Sequence, residues 1–190
     1  MDRIQALELV RPHLTEHRYI HTLGVETAAA ELAHRYGADA YKASIAAIFH
    51  DYAKFRPKEE MQEIVKQSDL PKDLLNYGTE LLHAPVGALL LEREIGIKDE
   101  EILSAVYYHT TGNGSMTLLE KVIFLADYLE PNRQFPGVDE VRELSKVCLN
   151  KASLKAVQNT ILFLMKQNQR IYPLTLDTYN GLQLEIKGKQ

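Results

Sequence analysis

Cysteine is nearly absent from this sequence of 190 residues, in which Cys148 is the single example. One cysteine excludes an internal disulfide and a zinc site built from several thiolates, and it is typical of a reducing compartment. We therefore expect a cytoplasmic location. The N-terminus is charged within its first three residues and has no apolar stretch of the kind found in signal peptides, so we predict no signal peptide.

Glycine and proline are also scarce, and no long apolar segment occurs. The ten glycines and seven prolines fall below average usage, which excludes a disordered or collagen-like chain. No apolar run approaches the roughly 18 residues that a membrane-spanning helix needs. The net charge of −4 and the isoelectric point near 6.0 provide no general electrostatic attraction for nucleic acid. We predict no nucleic-acid partner and no membrane partner.

What the sequence does contain is apolar residues at helical spacing in almost every stretch. Period-two alternation is not sustained anywhere, and there is no repeat or linker. We predict an all-α fold, with residues 1–190 forming a single domain, a bundle of roughly eight to ten helices. The tail at 171–190, which includes YPLTLDTYNG, is predicted to be a loop. The predicted helices cover residues 2–15, 16–36, 39–54, 57–68, 71–77, 79–95, 99–110, 117–130, 137–149 and 152–170.

Two of these helices carry carboxylates on faces that should be core. In 39–54 the apolar segment SIAAIF runs directly into His50 and Asp51, and in 117–130 Asp127 follows VIFLA. A buried carboxylate without a partner costs several kcal/mol, so each of them needs a neutralising group. Ordinary ion pairs are one solution, with Lys54 or Arg56 for Asp51 and with Lys121 or Arg133 for Asp127.

Four histidines are also predicted to lie on core faces. One such histidine is more often a hydrogen-bonded core residue than a metal ligand, but four of them together with two aspartates, from five segments, favour metal coordination. A cation supplies the positive charge that the carboxylates lack. Imidazole and carboxylate without thiolate suit Fe, Mn, Co, Ni or Zn, and six donors are about right for two metals bridged by one carboxylate. The candidate ligands are His21, His50, Asp51, His83, His109 and Asp127.

The order of these motifs resembles the HD-domain phosphohydrolases, which are named after an adjacent His-Asp pair. HTLGV, HDYAK, LLHAPVGA, YYHTTG and LADYLEPNR follow one another in this order. The longer motifs HRYIHTLGV, LEPNRQFPGV and YPLTLDTYN make the sequence similar to one branch, the symmetrical bis(5′-nucleosyl)-tetraphosphatases. The resemblance covers residues 17–180.

The resemblance implies a dinuclear metal centre. His21, His50, Asp51 and Asp127 would hold the first metal, and Asp51 would bridge to a second that His83 and His109 complete. The resemblance implies two divalent or trivalent metal ions, with iron expected and manganese or cobalt as alternatives. The substrate would be diadenosine tetraphosphate or a related dinucleoside polyphosphate, cleaved in the middle to two ADP. Two such metals lower the pKa of a water molecule, so that hydroxide forms at neutral pH and attacks phosphorus in line.

Other residues beside the metal ligands are candidates for the reaction and for substrate binding. Asp51 and Lys54 are the expected catalytic residues. Asp51 would bridge the two metals, and Lys54 follows His50 by one helical turn and can reach a phosphate. By analogy with the family, the tail closes over the nucleotide, where Tyr172 can stack on the base. Each candidate also has a plainer alternative role, as a solvated cation, a turn cap or a packed aromatic ring. The candidates for substrate binding are Arg18, Thr110, Arg133, Arg170 and Tyr172.

Several alternatives remain open from the sequence. Another HD-domain phosphohydrolase, such as a deoxynucleotidase or a cyclic nucleotide phosphodiesterase, would share the metals and differ in the leaving group. A nucleotide or metal sensor without catalysis would have no need for open metal positions. A helical interaction module would leave the buried carboxylates unexplained. A small molecule is the expected partner, and assembly as a homodimer is a further expectation.

Overall fold

The computed structural model describes residues 1–188, and in that range the chain forms ten α-helices and no β-strand. The all-α prediction is confirmed. Short 3-10 turns lie at Arg11–His13, Lys72–Asn76 and Thr79–Leu81, and a π turn lies at Leu91–Ile95. The helices are α1 (Arg3–Val10), α2 (Glu16–Tyr36), α3 (Ala40–Phe49), α4 (Lys58–Gln67), α5 (His83–Leu90), α6 (Glu100–Tyr108), α7 (Leu118–Leu129), α8 (Val138–Val147), α9 (Leu149–Lys166) and α10 (Pro173–Lys187).

Helices α2, α3, α6 and α7 pack against one another around one connected apolar core. Helix α2 begins after Thr15, whose hydroxyl accepts the backbone N–H of Arg18, and ends at Gly37 in the left-handed conformation, with φ of 77°. Helix α7 begins with the reciprocal capping hydrogen bonds of Thr117 and Glu120. Both starts satisfy helix N–H groups that lack a partner within the helix, and these ends lie where the sequence predicts them.

Helix α3 is buried on almost every side but ends earlier than the apolar pattern predicts. The regular helix stops at Phe49, and tight turns follow, in which the N–H of Lys54 donates to the carbonyl of Asp51 at 2.9 Å. The ring Nδ1 of His50 lies 2.7 Å from the carbonyl oxygen of Ala47. In a continuing helix the N–H of Asp51 would use that carbonyl. The early end therefore places His50 and Asp51 on a turn, with Lys54 beyond it.

The prediction of a loop at 171–190 is wrong for most of that range, because α10 covers Pro173–Lys187. Proline is favourable at the first helical position, where its missing N–H has no partner to lose. Helix α10 buries Thr175, Thr178 and Leu182 along one face, which supplies the packing that stabilises it. Residues 189–190 of the predicted loop lie outside the described residues.

Helix α10 packs unusually closely on the turn at 112–115. A Cβ added to Gly181 would lie 1.9 Å from the carbonyl oxygen of Gly114, so this glycine permits contact between two backbones. The Thr178 hydroxyl donates to the carbonyl oxygen of Thr111 at 2.8 Å. Helix α10 thus holds the segment that follows α6. Within residues 1–188, no helix combines the length and the hydropathy needed to cross a bilayer.

Candidate active site

The structure brings the six predicted ligands together. The ring centroids of His21 and His50 are 5.4 Å apart, those of His50 and His109 are 5.1 Å apart, and those of His83 and His109 are 4.9 Å apart. All four imidazoles are almost wholly buried. The six residues come from five parts of the fold, with His21 in α2, His50 and Asp51 directly after α3, His83 at the start of α5, His109 directly after α6 and Asp127 in α7.

Asp51 lies in the middle, and its two carboxylate oxygens face different histidines. Oδ2 is 3.0 Å from Nε2 of His50 and 3.8 Å from Nε2 of His21. Oδ1 is 3.1 Å from Nε2 of His83 and 4.0 Å from Nε2 of His109. The carboxylate of Asp51 therefore separates the histidines into two pairs and contacts both.

Asp127 completes the group on the Oδ2 side. Its Oδ1 is 3.0 Å from Nε2 of His21 and 3.8 Å from Nε2 of His50. The donors thus form two adjacent sets that share Asp51, with His21, His50 and Asp127 on one side and His83 and His109 on the other. This is the division that the sequence resemblance implies.

The four imidazoles share one orientation, in which Nδ1 faces an acceptor outside the cluster and Nε2 faces inward. A backbone carbonyl only accepts hydrogen bonds, so Nδ1 carries the proton and Nε2 of the neutral ring presents a lone pair. Such outward hydrogen bonds are usual for metal-binding histidines. The acceptors are the Glu130 carboxylate for His21 (3.1 Å) and the backbone oxygens of Ala47 for His50 (2.7 Å), Glu80 for His83 (2.6 Å) and Val106 for His109 (2.7 Å).

The inward-facing atoms lack ordinary partners. Among the described residues, Nε2 of His21, Nε2 of His50 and Oδ1 of Asp51 are buried without a hydrogen bond, and Oδ2 of Asp51 also lacks one, although Nε of Arg18 contacts it. Nε2 of His83 and Nε2 of His109 face each other at 3.0 Å. Two nitrogen ligands each about 2.1 Å from one metal, at a right angle, are about 3.0 Å apart. The donors therefore fit metal ions, which would satisfy all of these buried atoms at once.

The charge states of two members of the cluster, His109 and Asp51, also suit a metal. Burial lowers the pKa of His109, and the neighbouring His83 and His50 lower it further, to about 3. His109 is therefore neutral at pH 7, as a metal ligand must be. Burial alone would raise the pKa of Asp51, but His50 and His83 outweigh it and hold this pKa well below its usual range. Asp51 is a carboxylate at neutral pH.

Arginines, and not the lysines, lie against the two carboxylates. Nε of Arg18 contacts Oδ2 of Asp51, and a terminal nitrogen of Arg133 donates to Oδ1 of Asp127 at 2.8 Å. Of the ion pairs suggested by the sequence, that between Asp127 and Arg133 is present. Lys54 instead donates to a carboxylate oxygen of Glu80 at 2.6 Å. The arginines leave the inward nitrogens of the histidines without partners.

The motifs and the comparison with known families agree at this point. The HD domain family model matches residues 18–132, a range that contains all six donors. This chain belongs to the HD domain family. The resemblance identified from the ordered motifs is confirmed.

Two similar proteins found in the comparisons have the same printed name. The chain is 60% identical over 182 residues to "Bis(5'-nucleosyl)-tetraphosphatase, symmetrical" of Bacillus subtilis, covering 96% of this chain and 98% of the relative. It is 59% identical to the protein of that name from Halalkalibacterium halodurans, covering 98% of this chain and all of the relative. A crystal structure from Clostridium acetobutylicum, described as a predicted HD superfamily hydrolase involved in NAD metabolism, superposes with a TM-score of 0.90 at 39% identity, covering 97% of this chain and 98% of the other.

The six converging donors, His21, His50, Asp51, His83, His109 and Asp127, are called the HD cluster below. Two predicted substrate contacts line a cavity beside the HD cluster, and two others do not. The cavity of about 660 Å³ is lined by Thr110 and Arg133 together with the ligands His109 and Asp127. By contrast, Arg170 and Tyr172 pack on the segment around Lys72–Asn76. Arg170 donates to a backbone oxygen there at 3.0 Å, and the Tyr172 ring is almost wholly buried, 5.0 Å from the ring of Tyr77. The packed-aromatic alternative describes Tyr172 in this structure.

Glu130 is a residue of the site that sequence reasoning missed. It is 2% exposed, its Oε1 accepts from Nδ1 of His21, and its Oε2 accepts the backbone N–H of Asn132 at 2.7 Å. A Cβ on Gly24 would lie 2.3 Å from that Oε2, so Gly24 makes room for the carboxylate. Glu130 is the residue at which α7 ends, three positions after Asp127, and no local pattern in the sequence connects it with His21.

Replacing Glu130 by glutamine is expected to weaken metal binding about tenfold to a hundredfold. The amide keeps the volume but removes the charge that orients His21 and increases the basicity of its Nε2. The measurement is metal affinity by competition with a chelator, with Glu143→Gln as the control, because Glu143 is an exposed residue that pairs with Lys146. Unchanged affinity in Glu130→Gln would show that Glu130 does not position His21.

Proposed function

We propose that this HD domain protein hydrolyses diadenosine tetraphosphate and related dinucleoside polyphosphates symmetrically, giving two ADP. The observation that carries the proposal is the division of the histidines between the two oxygens of Asp51, which suits two metal ions side by side. The names of the two relatives that match over nearly the full chain supply the substrate class.

The residues that would hold the metals are the six that converge. His21, His50 and Asp127 would hold one metal, His83 and His109 the other, and Asp51 would bridge them. When bound, such metals supply a water of lowered pKa and positive charge for phosphoryl oxygens. We propose iron in the cell, with manganese or cobalt able to substitute, because imidazole and carboxylate ligands suit these metals.

Basic side chains around the cluster would bind and orient the phosphates. Arg18 and Arg133 each contact a ligand carboxylate, so a phosphate placed beside the ligands would also lie beside a guanidinium. In the reaction the water oxygen forms a bond to one of the two central phosphorus atoms, and the bond from that phosphorus to the central bridging oxygen breaks. The departing ADP takes the electron pair, and nearby cations stabilise its charge.

Identification of products from one dinucleotide incubation tests the proposal. Protein purified without oxygen is analysed for metals and is then supplied with diadenosine tetraphosphate, dAMP or a cyclic dinucleotide. The expected result is bound iron and conversion of diadenosine tetraphosphate to ADP alone. AMP with ATP as products, or faster turnover of dAMP or the cyclic dinucleotide, would contradict it. No hydrolysis with iron, manganese and cobalt all supplied would favour a sensor.

Replacing Lys54 by alanine is expected to lower kcat about a hundredfold, the usual effect of losing one group that stabilises transition-state charge. Lys54 is partly buried beside the cluster and is held by the exposed Glu80, which a substrate phosphate can replace. Metal content, measured by elemental analysis, should stay unchanged. Lys58→Ala, at the start of α4, is the control. Loss of metal from Lys54→Ala would instead make Lys54 a structural residue.

The remaining expectations about setting and assembly stay predictions. The single cysteine favours the cytoplasm. Homodimer formation and the absence of a nucleic-acid partner carry over from the sequence unchanged. The closing of a terminal loop over the nucleotide does not, because α10 covers Pro173–Lys187.

A further inference from the structure

The cavity beside the HD cluster has two helical walls. Helix α7 contributes Phe124, Asp127 and Tyr128, and α9 contributes Asn159, Phe163 and Lys166, in each case residues that share one helix face. The volume of about 660 Å³ lies within the range of roughly 300–1,000 Å³ typical of small-molecule sites. The site therefore extends well beyond the space that metal ions need.

One end of the cavity suits phosphate. It includes Asp127 from one set of ligands and His109 from the other, so a group at this end touches both halves of the cluster. The hydroxyl of Thr110 and Nε of Arg133 are buried there without a hydrogen-bond partner among the described residues. Both are donors, and buried donors without partners are costly, so an anionic ligand is the natural complement.

The other walls suit an aromatic ring. Phe135 and Tyr128 pack edge to face at 5.0 Å, and Leu162 and Phe163 line the cavity while remaining 55% and 57% exposed. Apolar side chains this exposed beside a pocket mark a surface that a ligand covers. A base of any identity can stack on aromatic side chains such as these, because every base has a flat π-face. Lys166 is exposed one turn after Phe163 on the same face and adds positive charge for a phosphate.

We infer that this cavity binds one nucleoside 5′-diphosphate half of the substrate, with phosphates at Thr110 and Arg133 and the base against Phe135 and Phe163. The inference rests on the proposed function and adds the place where one nucleoside is held. It also assigns Phe163, outside the residues matched by the HD family model, to the binding of the base.

The test compares ADP with inorganic pyrophosphate as ligands of the metal-loaded protein, by titration calorimetry. Phe163→Ala is expected to raise the Kd of ADP about tenfold and to leave the Kd of pyrophosphate unchanged, because only ADP has a base. The matched control is Met165→Ala, since Met165 is on the same helix, is 60% exposed and does not line the cavity. It should change neither Kd.

Two results would overturn the inference. One is an unchanged Kd of ADP in Phe163→Ala. If light scattering also shows that this variant is a monomer where the wild-type protein is a dimer, the surface around Phe163 binds a second copy of the chain and not the base. The other is an equal loss of ADP and pyrophosphate affinity. If the wild-type protein binds ADP through Phe163 but does not hydrolyse diadenosine tetraphosphate, the inference stands and the proposed function fails.

Discussion

Replacing Asp51 by alanine or by asparagine is expected to abolish hydrolysis and metal binding together. Asp51 is fully buried, and its two oxygens face separate pairs of histidines, so loss of its charge affects both sets of donors. We expect kcat/KM to fall at least about a thousandfold, which corresponds to about 4 kcal/mol of transition-state stabilisation. Product formation and elemental analysis of the same sample are the measurements.

The asparagine variant separates charge from shape. It has nearly the same volume as aspartate, so the buried packing around α3 is retained, and a thermal melt would verify that the protein is folded. Asp139→Asn is the control, because Asp139 is 89% exposed and pairs with Arg142 on the surface. Wild-type turnover in either Asp51 variant would show that the metal site is assigned to the wrong residues.

Local sequence signals were sufficient for most of the helices and for most of the site. The capping residues Thr117 and Glu120 and the left-handed Gly37 act on their own helices, so their meaning is visible without the tertiary structure. The ligands were recognisable because burying a carboxylate such as Asp51 or Asp127 at the end of an apolar run is costly. The sequence therefore indicates that something neutralises each carboxylate before the neighbours are known.

Features that depend on distant neighbours were not predictable in this way. Gly181 and Pro173 are typical of loops in a local interpretation, but both lie in α10, where Gly181 allows the close approach of the Gly114 backbone. Glu130 lies 109 residues from His21 in the sequence, and no periodicity connects them. Likewise, Arg18 reaches Asp51 from α2, whereas the local pattern offered Lys54.

Removing the metals is expected to abolish activity and to lower the melting temperature without unfolding the protein at 25 °C. A ligand at about 100 times its Kd stabilises a protein by about 2.7 kcal/mol, and each kcal/mol shifts Tm by about 2–4 °C at this chain length. We therefore expect a fall of about 5–10 °C for each metal site emptied by a chelator. Thermal melts before and after chelation, and after manganese is added back, provide the measurement.

The metal-free protein should stay folded because its buried charges keep some partners. Arg18 contacts Asp51 and Arg133 donates to Asp127, so neither carboxylate is left fully uncompensated, and the connected apolar core includes none of the six donors. Asp51→Asn serves as the reference, since its Tm should not respond to chelator or to manganese. A wild-type Tm that ignores both reagents, with hydrolysis continuing in chelator, would exclude a metal from the centre. Unfolding on chelation at 25 °C would instead mean that the arginines do not compensate the carboxylates.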